Sequence, residues 1–276
     1  CIKNSEYLDK YDMATASREI EEYIKDLSQW YIRRSRNRFR EGDSNAIGTL
    51  HYVLLNLTKI LSTYLPFVSE EIYLNISSNM AYTDYKESVH LESYPEFKKD
   101  DVDQELLDKM TLIRQICPNG LKARETARLS LRQPLSKVYI GLDDEYVKDI
   151  VKEELNVKEV EYSKEPIEED GYITVGEYDM FVSLNTILGD DLKEEGIIND
   201  FLRKYRDTRK KKGLKRDDTI NIEISFERGE ASSILEKYVK GNTEILKADK
   251  VDIVSQLDGE FTSFCISGTE VKILIR

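Results

Sequence analysis

The segment Trp30-Tyr31-Ile32-Arg33-Arg34-Ser35-Arg36-Asn37-Arg38-Phe39-Arg40 places five arginines within eight residues at the end of an apolar run. Back to Asp12, the residues Ala16, Ile20, Tyr23, Ile24, Leu27, Trp30 and Tyr31 recur at spacings of three and four, so the pattern predicts one helix over 12–39. Asp12 is its expected N-cap and Glu41-Gly42-Asp43 its stop. At about 100° per residue, Arg33, Arg36 and Arg40 gather on one side. Arg34 and Arg38 instead fall in line with Tyr23, Leu27 and Trp30, the face expected to be buried. An unpaired buried cation is costly, so Glu70 and Glu71 are the expected partners of those two.

Further helices follow. Leu50, Val53, Leu54, Leu57, Ile60, Leu61 and Tyr64 make the stripe of a second helix that begins near Asn45 and ends before Pro66. Pro66 opens a third, carrying Phe67, Ile72 and Tyr73, with Glu70 and Glu71 in its early turns. Residues 77–99 read as irregular. Val102, Leu106, Met110, Ile113 and Cys117 mark a fourth helix, expected to break at Pro118-Asn119-Gly120 and resume over 121–129.

The character changes after Pro134. Strands are expected over 137–142, 157–162, 172–175, 180–184, 219–226 and 271–275, with helices over 145–155, 193–212 and 230–238. The reading is therefore a multi-domain α and α+β chain: an N-terminal antiparallel helical bundle over 1–133, then a mixed α+β domain over 134–276. No internal repeat and no low-complexity tract is legible in the residues.

With 276 residues and a formal charge of −12, the chain is long enough to bury a core in each part. Its 40% hydrophobic residues and 17 tyrosines suit a globular protein better than a disordered one. No apolar run is long enough to span a membrane. Cys1, Cys117 and Cys265 are too sparse for a disulfide scaffold or a zinc knuckle and fit a reducing compartment. Cys1 in place of an initiating Met is expected to mark a piece of something longer, or a trimmed end. Residues 1–133 carry 19 basic and 21 acidic side chains, and 134–276 carry 22 and 32, so the acidity sits in the tail.

Average charge argues against nucleic acid, but the cations are clustered. Besides the arginine run, nine of the 14 residues of 203–216 are Lys or Arg, including Arg209, Lys210 and Lys211. A third group is Lys122, Arg124, Arg128 and Arg132, in which Arg124 and Arg128 share a helix face. Guanidinium matches phosphate bidentately, so Arg33, Arg36 and Arg40 suit a phosphate backbone. The plainer reading of each cluster is a solvated helix end. There is no Gly-rich phosphate loop, GxSxG or HExxH, so no catalytic residue is named and no metal site is expected. His51 reads as a packing residue, Trp30 as core, and His90 is assigned nothing.

Asp26-Leu27-Ser28-Gln29-Trp30-Tyr31-Ile32-Arg33-Arg34-Ser35-Arg36-Asn37-Arg38-Phe39 closely resembles the anticodon-binding helix of isoleucyl-tRNA synthetases. Pro66-Phe67-Val68-Ser69-Glu70-Glu71-Ile72-Tyr73 resembles that family's bundle turn. Ser88-Val89-His90-Leu91 with Tyr94-Pro95 resembles its next segment, and Arg132-Gln133-Pro134-Leu135 the junction into its C-terminal domain. Glu154-Leu155-Asn156-Val157-Lys158 and Thr208-Arg209-Lys210-Lys211-Lys212-Gly213-Leu214 are similar to the long-tailed branch, which lacks a C-terminal zinc module. Valyl-tRNA synthetases share the bundle but fit the tail less well. Arg40 stands where the family commonly has Trp. The His-Ile-Gly-His and Lys-Met-Ser-Lys-Ser signatures of class I synthetases do not occur.

The resemblance implies a class Ia anticodon-binding fold and a role in holding isoleucine tRNA, with no chemistry in this segment. It implies tRNA contacts at Trp30, Arg33, Arg34, Arg36, Arg38, Lys122, Arg124, Arg128, Arg132, Arg209, Lys210 and Lys211. ATP and magnesium would belong to a catalytic domain outside the segment; that domain and an editing domain would be partners in the same chain, in the cytoplasm and off the membrane. Three other readings remain open: a stand-alone synthetase-like RNA- or protein-binding module, the equivalent part of a valyl-tRNA synthetase, and a tail that binds protein while the bundle alone holds tRNA.

Overall fold

The structure, a computed structural model, describes residues 2–78, 85–215 and 217–276. Cys1, part of the irregular stretch read over 77–99, and Arg216 of the second basic run lie outside the described residues. The chain packs as two compact units, Cys1–Asp103 and Gln104–Arg276. Residues 133 and 134 mark where strands begin. The long helix before them packs against the sheet that follows, so the packing division falls one helix earlier.

The first unit is helical. Its elements are α1 (Ile2–Asp9), α2 (Met13–Asp26), a π-helical segment (Leu27–Ile32), α3 (Arg36–Arg40), α4 (Ser44–Leu61) and α5 (Pro66–Ser77). The caps follow from sequence: Asp12 accepts from Thr15 N at 3.0 Å, and Asp43 accepts from Asn45 N and Ala46 N at 2.9 and 3.2 Å. Ile20, Leu27, Leu57 and Ile60 form a core cluster against Tyr31, Leu50, Val53 and Leu54. The short helix α1 was not legible as apolar periodicity, since it is held by a polar residue. Buried Asn4 donates to Ala16 O at 2.8 Å and accepts from the Tyr94 hydroxyl at 2.9 Å.

A second polar tie joins α4 and α5 to the loop after them. The Tyr73 hydroxyl donates to Glu92 at 2.6 Å, and Lys59 pairs with the same carboxylate at 2.9 Å. Burial pushes the Glu92 carboxyl up, but the bonds from Tyr73 and Lys59 outweigh it and leave the group below its ordinary value. A depressed folded value stabilises the fold above the unfolded glutamate value of about 4.3. That stabilisation drains away as pH falls through the folded value. Glu92→Gln is expected to lower the urea midpoint at neutral pH and to flatten its fall on acidification; an unaltered acid limb would contradict this.

The second unit comprises α6 (Gln104–Thr126), β1 (Leu135–Ile140), α7 (Glu145–Leu155), β2 (Val157–Tyr162), β3 (Tyr172–Val175), β4 (Val182–Asn185), α8 (Asp190–Lys211), β5 (Ile220–Phe226), α9 (Ser232–Gly241), α10 (Thr243–Leu246), β6 (Ala248–Ile253), β7 (Thr262–Ile266) and β8 (Thr269–Ile275). Two four-stranded sheets result, in the orders β2-β1-β4-β3 and β6-β5-β8-β7. In each the first listed pair is parallel and the other two are antiparallel. Mixed α and β structure is thus present as expected. No repeat is legible in the residues, yet the two sheets have one topology.

The expected break at Pro118-Asn119-Gly120 is also overturned: α6 runs on through Pro118. The three residues serve packing instead. Asn119 donates to Met180 O at 2.9 Å. Gly120 is buried where an added Cβ would lie 2.3 Å from Leu155 Cδ1, so the missing side chain lets α7 approach α6. Strands β6 and β7 and helix α10, all unread in the sequence, complete the second sheet layer, whose core gathers Phe201, Tyr205, Ile222, Ile224, Leu235 and Ile273.

Candidate nucleic-acid interface

The arginine run leaves α2 through the π-helical segment. A π turn closes i→i+5 bonds, so each residue advances less about the axis than in an α-helix. Side-chain phases counted at α-helical spacing therefore fail beyond Leu27. Tyr23 and Ile24 are 47% and 39% exposed, while Ile20 and Leu27 are buried. The expected burial of Arg38 is overturned: it is exposed, with Nε 2.8 Å from Asp43 Oδ2. Arg34 is half-buried. Glu70 accepts from Ser88 Oγ and Val89 N at 3.0 and 2.9 Å, and Glu71 accepts from Asn75.

Local bonds fix the turn. The Tyr31 hydroxyl donates to Ala46 O at 3.1 Å, and its ring meets Phe39 edge-on at 6.2 Å. Arg33 donates Nε to Gln29 O at 2.7 Å, and its guanidinium lies 5.9 Å from the centroid of the half-buried Trp30 ring. Trp30 thereby seats a cation as well as packing. Arg36 is exposed with no ion pair among the described residues, and exposed Arg40 reaches Asn37 Oδ1 only at 3.5 Å. The Arg38 guanidinium holds the Asp43 carboxyl below its ordinary value, with help from the Ala46 and Asn45 amides. Asp43 was read only as part of a helix stop. It caps α4 and anchors Arg38, and the signal was its place two residues before Asn45, where the second helix was expected to begin.

The third group does not form one surface. Arg124 is 2% exposed and donates to four backbone carbonyls: Leu155 at 2.9 Å, Ser130 at 2.9 Å, Gln133 at 2.9 Å and Asn156 at 3.0 Å. Burial pushes it down to about 10, still protonated at neutral pH. Its expected role as an RNA contact is overturned. It shares no helix face with Arg128, which lies beyond α6 in the left-handed region at φ 56°. Arg132 is exposed and 3.5 Å from Asp200. Lys122 and Arg128 are exposed.

On α8, Arg209 is 7% exposed and faces the carbonyls of Lys215 and Asp218, which likewise removes it from the expected RNA contacts. Lys210 and Lys211 are exposed and have no ion pair among the described residues. The structure thus presents Arg33, Arg36, Lys122, Arg128, Lys210 and Lys211 to solvent. His51 packs edge-on to Tyr85 with Nε2 buried and unbonded among the described residues. Among the described residues no three His, Cys, Asp or Glu side chains gather as a metal site requires, and no helix is long and apolar enough to cross a membrane.

Residues 2–140 match the family model described as the anticodon-binding domain of tRNA ligase. Among curated proteins, an isoleucine–tRNA ligase from Clostridium novyi (strain NT) is 28% identical over 98% of this chain and 33% of its own length. One from Dehalococcoides mccartyi (strain CBDB1) is 31% identical over 88% of this chain and 25% of its own. One from Bacillus thuringiensis (strain Al Hakam) is 36% identical over 55% of this chain and 15% of its own. The chain spans about a third of the length of the first of these.

Proposed function

Because the chain belongs to the family of the anticodon-binding domain of tRNA ligases, we propose that it is the tRNA-holding part of an isoleucine–tRNA ligase and that the turn around Arg33 grips the anticodon stem-loop. The family match over 2–140 supports reading the helices of the first unit as the antiparallel bundle of the class Ia synthetases. The near-complete coverage by isoleucine–tRNA ligases supports isoleucine tRNA as the partner. In this reading the whole enzyme joins isoleucine to its tRNA with ATP and magnesium in a catalytic domain elsewhere in the same polypeptide. An editing domain accompanies it, and the enzyme works in the cytoplasm. This segment performs no chemistry.

The observation that carries the proposal is the pair Arg33 and Arg36, exposed on a turn fastened by Tyr31 and lying inside the family match. Each guanidinium can meet phosphate oxygens bidentately, which fixes position without reading sequence. Base reading requires unstacked anticodon bases. Lys122, Arg128, Lys210 and Lys211 remain as further backbone contacts. Arg124, Arg209, Arg38 and Arg132 are spent on the fold.

The test compares the isolated anticodon stem-loop of isoleucine tRNA with the acceptor-stem helix of the same tRNA. The chain is expected to bind the stem-loop and to bind the acceptor helix at least tenfold more weakly. Equal binding of the two would leave only non-specific attraction and end the proposal.

A further inference from the structure

Residues 104–276 contain the same succession twice: α6, β1, α7, β2, β3, β4, and then α8, β5, the α9–α10 pair, β6, β7, β8. The correspondence reaches single atoms. Arg124 lies two residues before the end of α6, and Arg209 two before the end of α8. Arg124 donates to the carbonyls six and nine residues onward, Ser130 and Gln133; Arg209 donates to those six and nine onward, Lys215 and Asp218, at 3.1 and 2.6 Å.

The backbone repeats as well. The residue four beyond each arginine, Arg128 and Gly213, is left-handed at φ 56° and 77°. The next amide, of Leu129 and of Leu214, returns to the arginine's own carbonyl at 2.9 and 3.1 Å. Left-handed Asn156 and Lys247 end the crossover helices, and their carbonyls accept from Leu135 N and Ile220 N, each at 3.2 Å. The arginines' remaining contacts differ: Arg124 also donates to the Asn156 carbonyl at 3.0 Å, and Arg209 to the Tyr205 hydroxyl at 3.5 Å. The Leu155 carbonyl is held by Arg124, whereas the equivalent Leu246 carbonyl is held by the Tyr205 hydroxyl at 2.6 Å, with the Arg209 guanidinium 5.9 Å from that ring.

We propose that residues 104–276 are a tandem duplication of one module. In each copy the buried arginine is a positioning residue that fixes the loop after the helix, and the second copy presents Lys210 and Lys211 at the helix end, with Lys212 and Lys215 on that loop, as a phosphate-docking ridge for RNA. At the same spacing the first copy has Glu125, Thr126, Ala127 and Ser130, so the scaffold is kept while the charge is new. Those four lysines are exposed with no ion pair among the described residues. Cations at a helix C-terminus also suit its dipole, but that effect ends with the last turn, and Lys215 lies beyond it. The RNA half of the inference rests on the function proposed above.

Two measurements on the whole chain test it. Amide hydrogen exchange of Arg209→Met is expected to speed up over 210–220 and to leave 125–135 unchanged, with Arg124→Met giving the mirror image. Arg209→Lys, which keeps the charge and reaches one carbonyl, should restore part of the protection even where Arg209→Met fails to fold. Unchanged exchange at 210–220 in both Arg209 variants would overturn the positioning role. For docking, Lys210→Ala/Lys211→Ala/Lys215→Ala should flatten the slope of log affinity against log salt for isoleucine tRNA by about 2 units, with exchange unaltered. An unchanged slope in a chain that still prefers the anticodon stem-loop overturns the ridge alone. Loss of the stem-loop preference in the unmodified chain overturns the function on which the ridge rests.

Discussion

Arg124→Met is expected to destabilise residues 104–276 by about 3 kcal/mol, because the methionine withdraws a donor from four carbonyls. Ser130 and Asn156 keep the amides of Gln133 and Leu135, while Leu155 and Gln133 lose the guanidinium that meets them. Two effects oppose each other here. Burial disfavours the cation, as its lowered value near 10 records, so removing the charge recovers part of that cost. The carbonyls stay in place around a side chain that is itself 2% exposed, and the bond to Leu155 is fully buried. Leaving two of these acceptors unmet outweighs the recovery. Urea unfolding followed by circular dichroism measures the loss. The neighbouring Arg128→Met, at an exposed residue, should stay within about 0.5 kcal/mol. A loss below about 1 kcal/mol for Arg124→Met would show that the guanidinium does not hold the junction together.

Arg33→Ala/Arg36→Ala is expected to flatten the salt dependence of isoleucine tRNA binding by about 1.4 units of log affinity per log salt, from the single-strand coefficient at two phosphates. The loss is largest at low salt, where counterion release drives binding. Arg38→Ala is the control from the same segment. Its guanidinium is already held by Asp43 at 2.8 Å, so the slope should not move. Anisotropy titrations at four salt concentrations suffice. An unaltered slope in the double variant would reduce Arg33 and Arg36 to ordinary charges at a helix end.

The helices and the first strands were legible because their signals are local. Asp12 and Asp43 cap what the apolar spacing outlines, and Pro66 opens α5 as its fixed φ requires. The side-chain phase of the arginine run was not legible. Six residues of π helix shift every position after Leu27, and nothing in Leu27-Ser28-Gln29-Trp30-Tyr31-Ile32 announces the wider turn. Pro118-Asn119-Gly120 reads as a helix break on propensity, yet the tertiary contacts of Asn119 with Met180 O and of Gly120 with Leu155 keep α6 continuous.

The clusters misled for another reason. Charge counted along the chain cannot separate Arg124 and Arg209, which turn inward to carbonyls, from Lys210 and Lys211, which face water. The duplication was hidden because its shared features are hydrogen bonds to backbone and left-handed residues. Arg128 and Gly213, or Asn156 and Lys247, meet the same backbone need with different side chains.

The central proposal is that this chain recognises the anticodon arm of isoleucine tRNA, its arginines holding the backbone and the unstacked anticodon bases supplying the choice. Its most direct test is a titration at about physiological salt against that tRNA and against the same tRNA carrying a swapped anticodon. Tighter binding of the native anticodon, by tenfold or more, is the expected result. Equal affinity for the two would contradict the claim, because a module that only holds the phosphate backbone does not distinguish them.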